Sequence, residues 1–171
     1  MKRKIMGISI TAILIFLIVT IGLTFQNEPE GFRDLKWGDP PLQDMIIFTG
    51  KKGDIRKLYE LPNDKMYLGD VELYMILYGF YDQLERFMDI GLFFKGEENF
   101  NLLKTICRGK FGKETDEGFY SLTWMSPKTM VYLSYDIIEK SGSLSLTDMI
   151  IFSEYLEAKE KKETEKAEKD W

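Results

Sequence analysis

Twenty-one consecutive residues without a charge, Ile5 to Phe25, stand directly behind Lys2, Arg3 and Lys4. As a helix such a run is about 31 Å long, close to the hydrocarbon thickness of a bilayer. A signal peptide has a shorter apolar core, about 7–15 residues, ending in small residues. Thr20, Gly22 and Thr24 offer a weak version of that ending, with no Ala-x-Ala, and no cysteine follows the run to carry a lipid. A helix buried in a globular core rarely goes so far uncharged. Length therefore favours an anchor through residues 5–25 over a cleaved signal peptide. No Lys or Arg follows until Arg33, so both readings keep the N-terminus in the cytoplasm. The expectation is a single-pass inner-membrane protein whose domain lies in the periplasm, or a domain secreted to the periplasm if residues 1–24 are cleaved.

Three of the 23 Lys and Arg precede Asn27 and all 28 Asp and Glu follow it, so the remainder carries a net −8. That charge disfavours nucleic acid, which asks for a basic patch. Residues 28–157 are long enough for one domain with a real core, and 14% aromatic content suits packing. The chain has no His, which removes Ser-His-Asp and Cys-His catalysis and any imidazole metal site. Cys107 is the single cysteine, so no intramolecular disulfide can form. Phosphate-binding glycine loops, dinucleotide fingerprints and calcium loops are absent from the sequence. No cofactor and no metal ligand set is expected.

Gln26 to Glu30 reads as a short polar linker. In GFRDLKWGDPP, Asp39 and Pro40 suit an N-cap and first helical position for a short helix around Leu42 to Met45, with Trp37 packing its entry. Turn chemistry then separates strands through Phe94, at Gly50 to Gly53, Pro62 to Asp64 and Leu68 to Asp70. Tyr74 to Tyr81 (YMILYGFY) is apolar on both alternating faces, and Leu84 to Phe94 completes a central hairpin, with Leu84, Met88, Ile90, Leu92 and Phe94 on one face. Glu97 to Phe111 has helical spacing, acids first and bases last, and Gly112 as its stop. Its stripe of Phe100, Leu103, Ile106 or Cys107, and Phe111 predicts a buried Cys107. Three further strands alternate through Leu122 and Trp124, Val131 to Tyr135, and Leu144 and Leu146. Ser145 and Asp148 resemble a capping box for a last helix, which becomes a solvated Lys/Glu tail over residues 158–171. The predicted fold is α+β: after the N-terminal segment 1–27, helix, meander, helix, meander, helix, with an antiparallel sheet and helices mainly on one face.

GFRDLKWG (Gly31 to Gly38), LSYDIIEKSGSLSL (Leu133 to Leu146) and the Lys110-Phe111-Gly112 helix ending together resemble a family of uncharacterised bacterial exported or membrane-anchored proteins. Its patterns are roughly GFRGIKWG, LSYDEI…GSLF and KFG. Asp34 departs from the family's usual Gly. The resemblance implies an extracytoplasmic α+β domain behind a signal or anchor, and supplies no activity. Small periplasmic helix-on-sheet modules of the outer-membrane-assembly lipoprotein or lactamase-inhibitor kind are similar at the level of fold alone.

Function follows from what is left: a non-catalytic, membrane-proximal binding or assembly module. If helices cover one sheet face, Tyr74, Tyr78 and Phe80 remain for a protein partner. A small-molecule or lipid carrier is the alternative, and would show an enclosed apolar pocket. A carboxylate-only hydrolase would need two acids across a cleft, for which Asp82, Asp136 and Glu139 are the candidates.

Overall fold

Two antiparallel meanders and one hairpin of strands are visible in the computed structural model, which describes residues 25–51, 54–81 and 84–169. The chain opens with a small two-stranded hairpin, β1 (Gly31–Phe32) and β2 (Leu35–Lys36). The first meander is β3 (Ile46–Thr49), β4 (Arg56–Glu60), β5 (Tyr67–Leu68), β6 (Val71–Tyr81) and β7 (Arg86–Lys95). Helix α1 (Glu97–Phe111) leads to the second, β8 (Asp116–Glu117), β9 (Ser121–Met125), β10 (Thr129–Asp136) and β11 (Ser141–Asp148), and helix α2 (Met149–Lys169) closes the order. The larger sheet has nine strands in the order β3-β4-β6-β7-β11-β10-β9-β8, with β5 beside β6. All of its pairings are antiparallel.

β11 joins the two halves by pairing with β7 as well as β10. Leu144 lies opposite Leu92 and Leu146 opposite Ile90 on one side, and opposite Leu133 and Val131 on the other. Strand alternation therefore gathers these side chains on one face, where α1 covers them with Phe100, Leu103, Cys107 and Phe111. Gly142 sits opposite both Phe94 and Tyr135, whose rings stack 6.4 Å apart and 9° from parallel. Phe100 of α1 comes down on Tyr135 at 5.7 Å. The helix ends where expected: the Gly112 N–H donates to the Arg108 carbonyl, with Gly112 at φ 82. Arg108 then donates to the buried Glu114 carboxylate at 2.8 Å. That bond holds the Glu114 carboxyl down at about 2 against the burial that pushes it up.

Several expectations are corrected. Residues 42–45 form a turn rather than a helix. Asp39 reaches backward instead of capping forward, accepting the Lys36 N–H at 2.8 Å. The two helices among the described residues do not share one face. α2 packs on Tyr81 and Met88, away from the cluster under α1, because register shifts where Gly79 pairs Asp89 and Phe80 pairs Phe87. The bulge leaves Met88 unpaired and turns it to the side opposite Phe87, so the predicted single stripe from Leu84 to Phe94 is broken. Asp148, rather than a Ser145–Asp148 box, caps α2: its carboxylate accepts the Ile150 and Ile151 N–H groups at 2.9 and 2.7 Å. The helix runs unbroken to Lys169, its exposed end carrying Lys159–Glu163 and Lys161–Glu165 contacts at 4.0 Å.

The N-terminal expectation changes most. Among the described residues no helix is long and apolar enough to cross a membrane. Residues 1–24, which carry most of the expected span and its cytoplasmic flank, lie outside the described residues. Phe25, the last residue of that run, packs on Phe111 at 5.6 Å, inside the domain. Nor is Gln26 to Glu30 a linker. The Gln26 N–H donates to the Phe111 carbonyl at 2.8 Å, Asn27 Nδ2 to the Lys110 carbonyl at 2.9 Å, and Trp37 Nε1 to the Pro29 carbonyl at 2.8 Å. The segment is strapped across the end of α1. The anchored, periplasmic and membrane-proximal description therefore has no support in the fold.

Replacing Gly142 tests how the sheet is closed. A Cβ there would lie 2.3 Å from the Phe94 ring and 2.4 Å from the Ser134 carbonyl oxygen. Gly142→Ala is expected to cost about 1–3 kcal/mol in denaturant unfolding, the usual penalty for overpacking.

Candidate functional site

The last two turns of α1 do not rest fully on the sheet. Between Ile106, Cys107, Lys110 and Phe111 above, and Leu92, Leu144 and Leu146 below, lies a cleft of about 310 Å³. Its third wall comes from the β1 hairpin (Gly31, Phe32, Arg33) and from residues 65–69 around β5. The floor is aliphatic because it is the buried face of β7 and β11. The mouth is cationic, because Arg33, Lys65 and Lys110 line it and no carboxylate does.

These cations differ in what they are free to do. Arg33 occupies the β1–β2 turn at φ 53, a left-handed conformation unusual for a non-glycine residue. Its guanidinium ties the hairpin to the opposite wall, ion-pairing with Asp64 and donating to the Lys65 and Tyr67 carbonyls at 2.6 and 3.2 Å. The Tyr78 hydroxyl also donates to Asp64, at 2.5 Å. Arg33 is thus neutralised and structural, a strained residue held by its bonds. Lys65 and Lys110 are exposed, and among the described residues neither is ion-paired. Lys110 lies over the Phe111 ring at 5.4 Å. In a domain of net negative charge these two ammonium groups make the mouth locally positive.

Cys107 lies in the cleft wall yet is almost wholly buried. Burial pushes its thiol up to about 12, with Lys110 pulling weakly the other way, so it stays protonated and non-nucleophilic at neutral pH. Among the described residues no group of three or more His, Cys, Asp or Glu is placed to hold a metal.

The residues chosen from the sequence lie elsewhere. Tyr78 and Phe80 are 2% and 1% exposed, inside the core among Phe32, Tyr59 and Phe87, and are closed to a partner. Tyr74 is 49% exposed on the other side of the sheet, beside Phe93 at 6.3 Å and under the Lys95 ammonium at 5.4 Å. The three do not form one surface, because a register shift between Leu73 and Met75 turns Tyr74 away from Tyr78. Asp82 lies outside the described residues. Asp136 and Glu139 share one turn, where the Asp136 carboxylate accepts the Ile138 and Glu139 N–H groups at 2.8 and 3.0 Å. Those bonds lower the Asp136 carboxyl, with the Glu139 N–H contributing most, which makes it a turn-former. Trp37 stacks on Phe87 at 4.9 Å.

Sequence reading missed Lys65 and Lys110 as a pair, and no local pattern joins them, since only packing of residues 64–69 against α1 brings them to one opening. No family model, curated protein or solved structure matches the chain.

A thiol at about 12 reacts slowly. Alkylation of Cys107 at pH 8 is expected to run about a thousandfold slower in the folded protein than in the unfolded chain, the ratio of the thiolate fractions, as read by mass spectrometry. Equal rates would place the thiol in solvent.

Proposed function

We propose that this domain binds a small amphipathic anion, with its apolar part against Phe32, Leu68 and Ile106 above the floor of Leu92, Leu144 and Leu146, and its charged head at the mouth lined by Lys65 and Lys110. One observation carries the reading: an aliphatic cleft opens at two cations that have no ion pair among the described residues, in a domain of otherwise acidic balance. Pockets that bind small molecules are mostly apolar with a few placed polar groups. The size selects the ligand. At about 310 Å³ the cleft holds roughly ten water-sized groups, which suits a short-chain carboxylate or alkyl phosphate and is too small for a diacyl lipid. Binding rather than turnover fits the lining, which offers cations and a protonated thiol but no carboxylate.

Octanoate, hexyl phosphate, octanol and inorganic phosphate separate the contributions in calorimetric titrations. Both amphipathic anions are expected to bind, and whichever binds tighter identifies the head group. Octanol and inorganic phosphate should bind about tenfold or more weakly, since each loses one half of the recognition. Lys65→Glu combined with Lys110→Glu should weaken the anions by at least about tenfold while leaving the melting temperature within a few degrees, both residues being exposed. Octanol binding as tightly as octanoate, or anion binding indifferent to the double reversal, would overturn the reading.

A further inference from the structure

The interior of the cleft is nearly sealed. Its floor residues Leu92, Leu144 and Leu146 are 0%, 2% and 4% accessible, and Cys107 in its wall is 1% accessible, so a ligand reaches them only when a wall moves. The floor and α1 belong to the packed core. The remaining wall is slighter. It consists of two minimal hairpins, β1–β2 with two residues in each strand and the two residues of β5 against the start of β6. Pairs this short have little stability of their own, and segments of this kind open locally. The β1–β2 hairpin is pinned at its base, where the Trp37 N–H donates to the Glu30 carbonyl at 3.0 Å and Trp37 Nε1 donates to the Pro29 carbonyl at 2.8 Å. At its tip, among the described residues, every hydrogen bond to the facing residues 64–69 comes from the Arg33 guanidinium.

We propose that the Arg33–Asp64 pair is a latch controlling entry to this cleft, which opens when the tip of the β1–β2 hairpin swings about its base. The proposal rests on the reading of the cleft as a binding site. Asp64 is the fixed end, because its carboxylate also accepts the Tyr78 hydroxyl at 2.5 Å and the Lys65 N–H at 2.8 Å, and Tyr78 is part of the core. Arg33 is the moving end. Its backbone stands at φ 53, a conformation that costs energy for a residue with a side chain and persists where surrounding bonds impose it. The tip is therefore strained while the latch is closed and relaxes when it opens. In the closed state the guanidinium also lies 4.9 Å over the Phe32 ring, which lines the cleft, so one side chain bridges the two walls and covers an apolar one. Opening uncovers Phe32 and the aliphatic floor for the apolar end of a ligand, while Lys65, beside the fixed Asp64, stays at the mouth for the head. Arg33 is in this way a positioning residue, acting through the wall it carries.

Alkylation of Cys107 by iodoacetamide in the full, folded chain reads the latch without any ligand. Arg33→Gly removes the latch and relieves the positive φ together, since glycine adopts that conformation freely. It should speed labelling by about tenfold or more at an unchanged melting temperature. Asp64→Asn removes the charge and keeps the shape, and should also speed labelling. Arg33→Lys keeps the charge without the planar fork and should fall between Arg33→Gly and the wild type. Gly142→Ala weakens the whole fold away from the latch and should leave labelling within about twofold, because local opening does not follow global stability. Labelling of Arg33→Gly no faster than the wild type would overturn the latch. So would labelling of Gly142→Ala as fast as that of Arg33→Gly, which would show that the thiol is reached by unfolding of the whole domain. Saturating octanoate should slow labelling in Arg33→Gly, and labelling that this variant speeds but octanoate leaves unchanged would uphold the latch and overturn the anion reading alone.

Discussion

The antiparallel pairing of β7 with β11 is the contact on which this domain depends. It joins strands about fifty residues apart in the chain and converts two separate meanders into one sheet. Without it neither half has a face broad enough to bury α1, because Leu92 and Ile90 come from one meander and Leu144, Leu146, Leu133 and Val131 from the other. Hydrophobic burial scales with the apolar area removed from water, so the helix and the combined face stabilise one another. Gly142 permits the closure by leaving room for Phe94 and Tyr135 to stack above the backbone.

The cleft is a consequence of that arrangement. α1 lies close to the sheet at its start, where Phe100 meets Tyr135, and its last turns are held by different groups: Arg108 with Glu114 below, and Phe25, Gln26 and Asn27 strapped across its end. The space left between the helix and Leu92, Leu144 and Leu146 is walled by the β1 hairpin and residues 65–69. Arg33, Asp64 and Tyr78 lock those walls together. Among the described residues the charges lining the mouth are Arg33, which is ion-paired, and the two lysines, which are not, and the proposed anion would meet these two.

Much of the architecture was legible in the residues. The period-2 runs marked both meanders, the apolar stripe marked α1, Gly112 marked its end, and Cys107 on that stripe is buried. Two bulges were not legible. Each shifts a strand by one residue, and a one-residue shift moves every later side chain to the other face. That is why Tyr74 separates from Tyr78, and why Met88 leaves the stripe of Ile90 and Leu92. The polarity of Gln26 to Glu30 suggested a linker, yet its contacts are made by backbone carbonyls and N–H groups, which composition does not reveal. Lys65 and Lys110 each look like an ordinary surface lysine until the chain is folded.

Amide hydrogen exchange with and without octanoate locates binding on the fold itself. Occupancy of the cleft predicts slower exchange confined to residues 31–33, 65–69 and 106–111, the three walls of the cleft, with the outer face around Tyr74 and Phe93 unchanged. Slowing on that outer face instead, or no slowing at saturating octanoate, would contradict a cleft built to hold an amphipathic anion.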